Sequence, residues 1–308
     1  MKLRVEYKDS SGQVINQEHK LTRIAFAKHL AVAGQGYAPR PQKFMKTIGM
    51  FLHYSNYIQR RAFNEDRFSE PPIPLSDPTE KGQFSNLAGK AIADFLSKRI
   101  DQSSYTVNYE AAMRMRGMPI AGSRPDLFAF NSNGMFALEA KGFSGACGNM
   151  QTHKKQSQSG AIPVNFTVAC VSYNLYSEVH CKYYDPINDT IKFDDDLYRQ
   201  LTMIYYKRLS EFLDIEFFPY SEIGYQGETF YEVDLFNRGF LTPFLSDTPF
   251  IRFWGYEVKR LKLILPKKIK EYAENGLERD TPPFIFDSKE NSDIYIDNDR
   301  VGLRMERY

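Results

Sequence analysis

The chain has 308 residues, of which 42% are hydrophobic and 25% are charged, close to the averages of globular proteins. This composition excludes a largely disordered chain, and the length suits one large elaborated domain or two to three smaller modules. The net charge is only +2, which excludes the global basic field of a non-specific DNA-coating protein. Any nucleic-acid surface must therefore be local.

The cysteines and the start of the chain bear on its environment. Cys147, Cys170 and Cys181 form an odd set without paired spacing, which fits reduced thiols and opposes a disulfide framework or a zinc site. Charges run through the first nine residues, and no apolar run approaches the roughly 20 residues that cross a bilayer. We therefore expect a soluble, cytoplasmic protein without a membrane partner.

The first part of the chain is predicted to be mainly helical. A short strand is indicated at residues 3–7, and helical patterns follow at 21–32 and 44–61. Four prolines within residues 70–78 disfavour a helix and predict an extended linker. These signals predict an N-terminal, mainly helical module over residues 1–75.

The central part alternates helix and strand signals. Ser76 or Asp77 can cap a helix over residues 79–99, and the Asn-Ser-Asn-Gly sequence at 131–134 predicts a hairpin turn. The other predicted elements are strands at 105–115, 125–130, 135–142, 164–173 and 179–184, and helices at 149–159 and 194–213. This order predicts an α/β core over residues 76–215.

The last part of the chain gives a weaker pattern of strands. Strand-like runs occur at residues 229–235, 259–265 and 294–305, the last with a hairpin turn at Asp297-Asn298-Asp299. We expect a mixed C-terminal module over residues 216–308 that can take part in substrate binding.

Three residues of the central part form the strongest chemical pattern. Asp126 begins an apolar strand, and Glu139 and Lys141 lie on the next one. Side chains alternate along a strand, so Glu139 and Lys141 project to the same side. The hairpin would bring Asp126 beside them, which places two carboxylates and one ammonium at one edge of a sheet.

Hydrolysis of a phosphodiester bond needs this set of groups. Two carboxylates and a backbone carbonyl, that of Ala140, suit Mg²⁺, which neutralises charge on the attacked phosphate and lowers the pKa of a bound water. Lys141 would orient that water or stabilise the developing negative charge. Glu80 shares a helical face with Phe84, Leu87 and Ala91 and is a fourth candidate for the catalytic site.

This pattern resembles a known nuclease superfamily. Pro125-Asp126, a gap of twelve residues and Glu139-Ala140-Lys141, after a helix that carries Glu80, resemble the PD-(D/E)XK or restriction-endonuclease-like nucleases over residues of about 76–213. The resemblance implies an α/β fold whose mixed central sheet is flanked by helices. It also implies cleavage of DNA, less often RNA, with Mg²⁺ or with Mn²⁺ as a substitute. Asp126 and Glu139 would be metal ligands, and Lys141 the catalytic lysine.

The resemblance carries further expectations. In this superfamily a polar residue on the following helix often reaches the site, for which Gln151, Lys155 and Gln156 are candidates. Large modules outside the core are typical of a restriction-like or antiviral defence role. Double-strand cleavage commonly needs two active sites, which a homodimer or a larger defence complex would supply.

Basic residues suggest where nucleic acid would bind outside the core. Residues 252–270 combine Phe253, Trp254 and Tyr256 with a series of basic side chains, which suits a phosphate backbone with splayed bases. The candidate contacts there are Lys259, Arg260, Lys262, Lys267 and Lys268. A second basic cluster comprises Arg40, Lys43, Lys46, Arg60 and Arg61. Either set can instead be an ordinary solvated face.

Three alternatives remain open at this point. Asp126 can cap a strand turn while Glu139 pairs with Lys141 or Arg124 on a solvated edge. The chain can also be a catalytically silent nucleic-acid-binding or assembly subunit with the same fold. Finally, Cys147 can be the nucleophile of a cysteine hydrolase, with His153 or His180 as its base.

Overall fold

The computed structural model describes residues 1–36, 54–70, 77–188, 191–235, 258–287 and 293–307. Seven strands form a large sheet: β1 (Lys2–Lys8), β2 (Val14–Lys20), β3 (Thr106–Asn108), β4 (Leu127–Asn131), β5 (Gly134–Gly142), β6 (Phe166–Tyr173) and β7 (His180–Asn188). Six strands form a second sheet: β8 (Tyr220–Tyr225), β9 (Glu228–Asp234), β10 (Val258–Pro266), β11 (Phe286–Asp287), β12 (Ile294–Ile296) and β13 (Gly302–Arg307).

Seven α-helices accompany the two sheets in the described part of the chain. They are α1 (Arg23–Val32), α2 (Arg60–Asn64), α3 (Pro78–Ile100), α4 (Tyr109–Met115), α5 (Met150–Ser157), α6 (Asp195–Ser210) and α7 (Ile269–Asn275), with short 3₁₀ turns at Tyr54–Ile58 and Glu211–Asp214. Asp77 caps α3, since its side chain accepts a hydrogen bond from the backbone N–H of Thr79. Within the described ranges, no helix combines the length and apolar character needed to cross a membrane.

The large sheet is mixed. Its strand order is β2-β1-β7-β6-β5-β4-β3, with β1 parallel to β7, β5 parallel to β6, and antiparallel pairing elsewhere. The fold is therefore mixed α/β, with a large mixed central sheet flanked by helices. The N-terminal β1–β2 hairpin belongs to the same sheet as the central strands, so the module boundary expected near residue 75 falls within one sheet.

Helices α3 and α5 cover opposite faces of this sheet. A Cβ atom on Gly142 would lie 1.8 Å from the Ser85 carbonyl oxygen, so α3 packs directly against the side of β5 to which Gly142 points. Glu139 and Lys141 alternate to the other side. On that side the α5 residue Ser157 donates a hydrogen bond of 3.4 Å to Thr167, the strand partner of Ala137. We call this side the α5 face.

Most of the elements expected in the core are present. Helix α3, the hairpin with Asn131 opposite Gly134, strands β5 to β7 and helices α5 and α6 confirm the sequence pattern. The strand expected over residues 105–115 is wrong, because β3 ends at Asn108 and α4 follows. The side chain of Asn108 accepts from the Glu110 N–H and begins that helix. Strands β2 and β8 and helix α7 were not predicted from the sequence.

The second sheet has the order β11-β12-β13-β10-β9-β8 with antiparallel neighbours. The turn between β12 and β13 confirms the hairpin expected at residues 297–299. The helix expected over residues 44–61 and the linker over 70–78 lie largely outside the described residues.

The turn between β12 and β13 inserts charged side chains into the protein interior. Lys28 of α1 and Lys98 of α3 each lie within 3.0 Å of carboxylate oxygens of both Asp297 and Asp299. His29 pairs with Asp94 at 2.6 Å. The interior ion cluster consists of Lys28, His29, Asp94, Lys98, Asp297 and Asp299, all with side chains at most 1% exposed. The cluster joins the hairpin of the second sheet to the helices that cover the first.

Candidate active site

The β4–β5 hairpin brings the two acids and the lysine together. The Asp126 N–H donates to the Leu138 carbonyl oxygen at 3.0 Å, and the Asp126 carbonyl accepts from the Tyr109 N–H at 3.1 Å. These bonds fix the residue just before β4. The Oδ2 atom of Asp126 then accepts a hydrogen bond of 3.0 Å from the Ala140 N–H, midway between Glu139 and Lys141.

Lys141 lies between the two carboxylates. Its Nζ atom is 2.6 Å from Glu139 Oε1 and 3.4 Å from Asp126 Oδ2. The Glu139 side chain is fully buried, whereas the side chains of Asp126 and Lys141 are 37% and 26% exposed. The cluster therefore opens to solvent through Asp126 and Lys141. Burial of Glu139 does not fit the alternative of a solvated strand edge.

The surroundings of Glu139 compensate the negative charge of its ionised form only in part, which favours the protonated form. Burial and the nearby Asp126 carboxylate raise the pKa of Glu139 to about 8, against the opposing effect of Lys141. By strict geometry, neither carboxylate oxygen of Glu139 accepts a hydrogen bond from the described residues, and Lys141 approaches Oε1 at 2.6 Å as an ion pair. A carboxylate in this state favours either a proton or an added cation.

The donor set fits a hard divalent cation. Two neighbouring carboxylates supply oxygen ligands, and Glu139 has oxygens without hydrogen bonds. In a strand the N–H and C=O of one residue point to the same side, so the Ala140 carbonyl points toward Asp126 as its N–H does. Across the described ranges, no three His, Cys, Asp or Glu side chains converge to hold a metal. Water would therefore complete the coordination of Mg²⁺, which commonly keeps several waters.

A polar pocket of about 280 Å³ opens beside Asp126. Gln156 of α5 lies in its wall and donates a hydrogen bond of 3.3 Å to the Arg124 carbonyl oxygen. The Arg124 guanidinium is paired with Glu110. The pocket is lined by Asn108, Glu110, Arg124, Asp126 and Gln156, among others. It thus gives a small polar ligand access to the carboxylate of Asp126.

The structure does not bring Glu80 to this cluster. Glu80 accepts a hydrogen bond of 3.2 Å from the Tyr57 hydroxyl. It belongs to α3, which packs on the face of the sheet opposite to that of Glu139 and Lys141. Helical periodicity correctly predicted that Glu80 faces the protein. It could not predict which side of the sheet the helix covers.

Helix α5 follows β5 in the chain and packs against β5 and β6. Of its polar residues, Gln156 lies in the pocket with Asp126, while Gln151 and Lys155 are exposed. His153 is buried, and the charge of Lys141 contributes to lowering its pKa, after the larger effect of burial. Helix α5 therefore covers the cluster and leaves one polar side chain at its open edge.

Acidic neighbours partly neutralise the C-terminal basic residues. Lys262 lies 3.0 Å from the buried Glu232, and Lys267 lies 2.8 Å from Glu222. Lys268 is exposed. The side chains of Lys259 and Arg260, like residues 252–257, lie outside the described part. Nucleic-acid binding by this segment stays a prediction, and its paired lysines carry less free charge than the sequence suggested.

Cys147 lacks the electrostatics of an activated nucleophile. Burial raises the pKa of its thiol, and Glu6 raises it further while Lys182 lowers it. A raised pKa favours the thiol over the nucleophilic thiolate. The cysteine-hydrolase alternative therefore gains no support from the surroundings of Cys147.

The pocket residues Asn108 and Glu110 were not anticipated as part of the site. The signal that could have found them is the sequence Asn108-Tyr109-Glu110, where a capping residue precedes an acid in the first turn of a helix. That pattern predicts that α4 starts at Tyr109. In the structure, this start and both side chains lie next to the residues before β4.

Comparison of the chain with protein-family models, with curated proteins and with solved structures finds no match in any of the three. The function proposed below therefore rests on the residues of this chain.

Proposed function

We propose that this protein is a Mg²⁺-dependent nuclease of the PD-(D/E)XK type that hydrolyses phosphodiester bonds. The observation that carries the proposal is the buried Glu139, whose charge is incompletely compensated beside Asp126 and Lys141 at one end of a hairpin. Strongly shifted carboxyl pKa values are more frequent at functional sites than elsewhere. The mixed central sheet between α3 and α5 is compatible with a restriction-endonuclease-like core.

Each residue has a distinct part in the proposed reaction. Asp126, Glu139 and the Ala140 carbonyl would hold Mg²⁺, which supplies charge neutralisation and Lewis acidity at the phosphate. The Lys141 ammonium, already held between the two acids, would stabilise negative charge on the phosphate as it is attacked. Gln156 would hydrogen-bond to the substrate at the edge of the pocket. The burial of Glu139 under α5 excludes bulk water from one side of the cluster.

The identity of the substrate extends the proposal. DNA is the preferred substrate and RNA the second, Mn²⁺ can replace Mg²⁺, and a homodimer would place two sites on a duplex. A restriction-like or antiviral defence role in the cytoplasm follows the resemblance of the motif. Support for these extensions comes from that resemblance alone.

Loss of the acid or the lysine should abolish cleavage. Plasmid, single-stranded DNA and RNA are incubated with the wild type, Asp126→Ala and Lys141→Ala, each with Mg²⁺ and with EDTA. We expect cleavage of at least one substrate by the wild type only with Mg²⁺, and a loss of about 100-fold or more in both variants, the size typical for removing a stabilising charge. Asp280→Ala, at an exposed acid, serves as the control.

Two results would count against the proposal. Cleavage that persists in both variants would exclude these residues as the site. Binding of nucleic acid by the wild type, without cleavage under any divalent cation, would instead identify a catalytically silent binding protein.

A further inference from the structure

Beyond α5, the α5 face of strands β1 and β7 is partly exposed in the described part of the chain. In β1 the side chains alternate, with Leu3 and Val5 buried on the α3 side and Glu6 and Lys8 half-buried. In β7 the same alternation leaves Lys182 and Tyr184 half-buried on the α5 face. Two neighbouring strands therefore present one continuous polar surface to solvent.

The strand register aligns this surface with the candidate active site. Lys141 of β5 pairs with Val171 of β6, which pairs with Lys182 of β7. The next row runs from Glu139 through Ala169 to Tyr184, and on to Lys8 of β1. Paired residues on adjacent strands project to the same face. One strand separates Lys141 from Lys182, a spacing of about 10 Å.

Three lysines surround the Tyr184 ring on this surface. The Nζ atom of Lys154, from α5, lies 5.0 Å from the ring centroid, and the Nζ atoms of Lys8 and Lys182 each lie 5.9 Å from it. Glu6 is the acid among them, since it accepts a hydrogen bond from the Tyr184 hydroxyl and lies 3.7 Å from Lys182. Three cations and one anion leave a local charge of +2.

Gathering the lysines has an electrostatic cost. Burial lowers the pKa of Lys154, and the charge of Lys8 lowers it further. The negative face of one aromatic ring offsets this repulsion only in part. A bound anion between the three ammonium groups would relieve it, and lysine commonly binds phosphate in this way.

We propose that Lys8, Lys154 and Lys182, around Tyr184, bind the phosphate backbone of the nucleic-acid strand that reaches the candidate active site. The inference rests on the proposed function, since it takes nucleic acid as the ligand. The spacing of about 10 Å from Lys141 corresponds to about three nucleotides along a duplex axis. Helix α5 lies over β5 and β6. The nucleic-acid strand would therefore run along this helix, which carries Lys154 and the exposed Lys155.

Binding in the absence of cleavage tests this surface. Fluorescence anisotropy with labelled duplex and single-stranded DNA is measured in EDTA over a range of KCl concentrations. The test variant is Lys8→Gln/Lys154→Gln/Lys182→Gln. Its matched variant, Lys192→Gln/Arg199→Gln/Lys207→Gln, removes the same charge from exposed basic residues on α6 and just before it, to which no part of the proposed site belongs. Thermal unfolding checks the fold of both, and Lys154→Gln alone replaces the triple variant if it does not fold.

The two triple variants should differ. We expect the test variant to bind at least 10-fold more weakly at 0.1 M KCl, with the slope of log affinity against log salt reduced by about two to three, since each phosphate contact contributes about 0.9. The matched variant should bind within about threefold of the wild type. Equal losses in both variants, no loss in the test variant, or no DNA binding by the wild type would each overturn the proposal. Equal binding of poly-glutamate would also overturn it, as the surface would then be a general anion site.

The Asp126→Ala variant separates this inference from the proposed function. If it cleaves like the wild type while the lysine variant binds more weakly, the proposed active site fails and the lysine surface stands. If it loses cleavage but the lysine variant binds normally, the active site stands and the lysine surface fails.

Discussion

The protein contains two groups of buried acids and lysines, and their electrostatics differ. In the interior ion cluster, burial alone would raise the pKa of Asp297, but Lys28 and Lys98 lower it below its ordinary value. Lys98 and His29 lower the pKa of Asp94 in the same way, against the opposing effect of burial. In the candidate active site, one lysine faces two acids, and the pKa of Glu139 stays raised to about 8.

This difference separates a structural charge cluster from a candidate reactive one. In the interior cluster the acids have cationic partners on α1 and α3, which hold the pKa values of Asp94 and Asp297 low although burial lowers the pKa of Lys28. Asp126 and Glu139 lie next to each other with incomplete compensation and with access to solvent through Asp126. Burial of charge alone therefore does not mark a candidate site; incomplete compensation beside an open pocket is the feature that makes Asp126 and Glu139 a candidate.

The largest effect is expected from breaking the interior cluster. Asp299→Asn leaves Lys28 with one carboxylate instead of two and Lys98 with two instead of three. It also weakens the acceptor of the Tyr205 hydroxyl. We expect a loss of about 3–5 kcal/mol in the free energy of unfolding, typical of removing one partner from a buried ion pair. Urea unfolding measures it, with the exposed Asp280→Asn as control. Equal stability of the two variants would show that the cluster does not hold the hairpin in place.

Substitution of Glu139 should instead increase the free energy of unfolding at high pH, when EDTA removes divalent cations. A carboxyl whose folded pKa of about 8 exceeds its ordinary 4.5 binds a proton more tightly in the folded state. Its contribution is therefore fully present below about pH 4.5 and is lost as the pH rises to 8, by up to a few kcal/mol. Glu139→Gln should remove this slope and exceed the wild type in stability at pH 9.

Urea unfolding at pH 5, 7 and 9 measures this difference, with the exposed Glu216→Gln as control. Mg²⁺ should restore the stability of the wild type at pH 9 and leave Glu139→Gln almost unchanged, because a bound cation replaces the proton. Parallel pH profiles of wild type and Glu139→Gln would show that Glu139 is as well compensated as the acids of the interior cluster.

A smaller effect is expected where α3 supports the candidate site from behind. A Cβ atom on Gly89 would lie 2.4 Å from the Gly142 nitrogen and 2.6 Å from the Lys141 carbonyl oxygen. Gly89→Ala should cost about 1–3 kcal/mol, because the helix must move away from β5. Gly82→Ala, on the same helix but with nothing within 4 Å of its Cβ, should gain up to about 1 kcal/mol. Equal effects in urea unfolding would mean that the close packing of α3 on β5 is not required.

Local patterns in the sequence anticipated much of the candidate site. The turn sequence at residues 131–134 fixes the register of β4 and β5, and side-chain alternation places Glu139 with Lys141. Glu80 shows the limit of this reasoning. Helical periodicity indicates which side of α3 faces inward, whereas the face of the sheet that α3 covers depends on contacts such as that of Gly142 with Ser85.

Longer-range contacts decided the remaining features. The sequence contains Lys28, Lys98, Asp297 and Asp299, but it could not predict that they form ion pairs. About 200 or more residues separate the partners. The parallel pairing of β1 with β7, which brings Lys8 to Lys182 and Tyr184, also joins strands that lie far apart in the sequence. The sequence by itself determined the acid, acid and lysine set and its hairpin, because turn chemistry and strand alternation act within a few residues. Only the tertiary structure decided which charges are compensated, because compensation depends on groups that folding alone brings together.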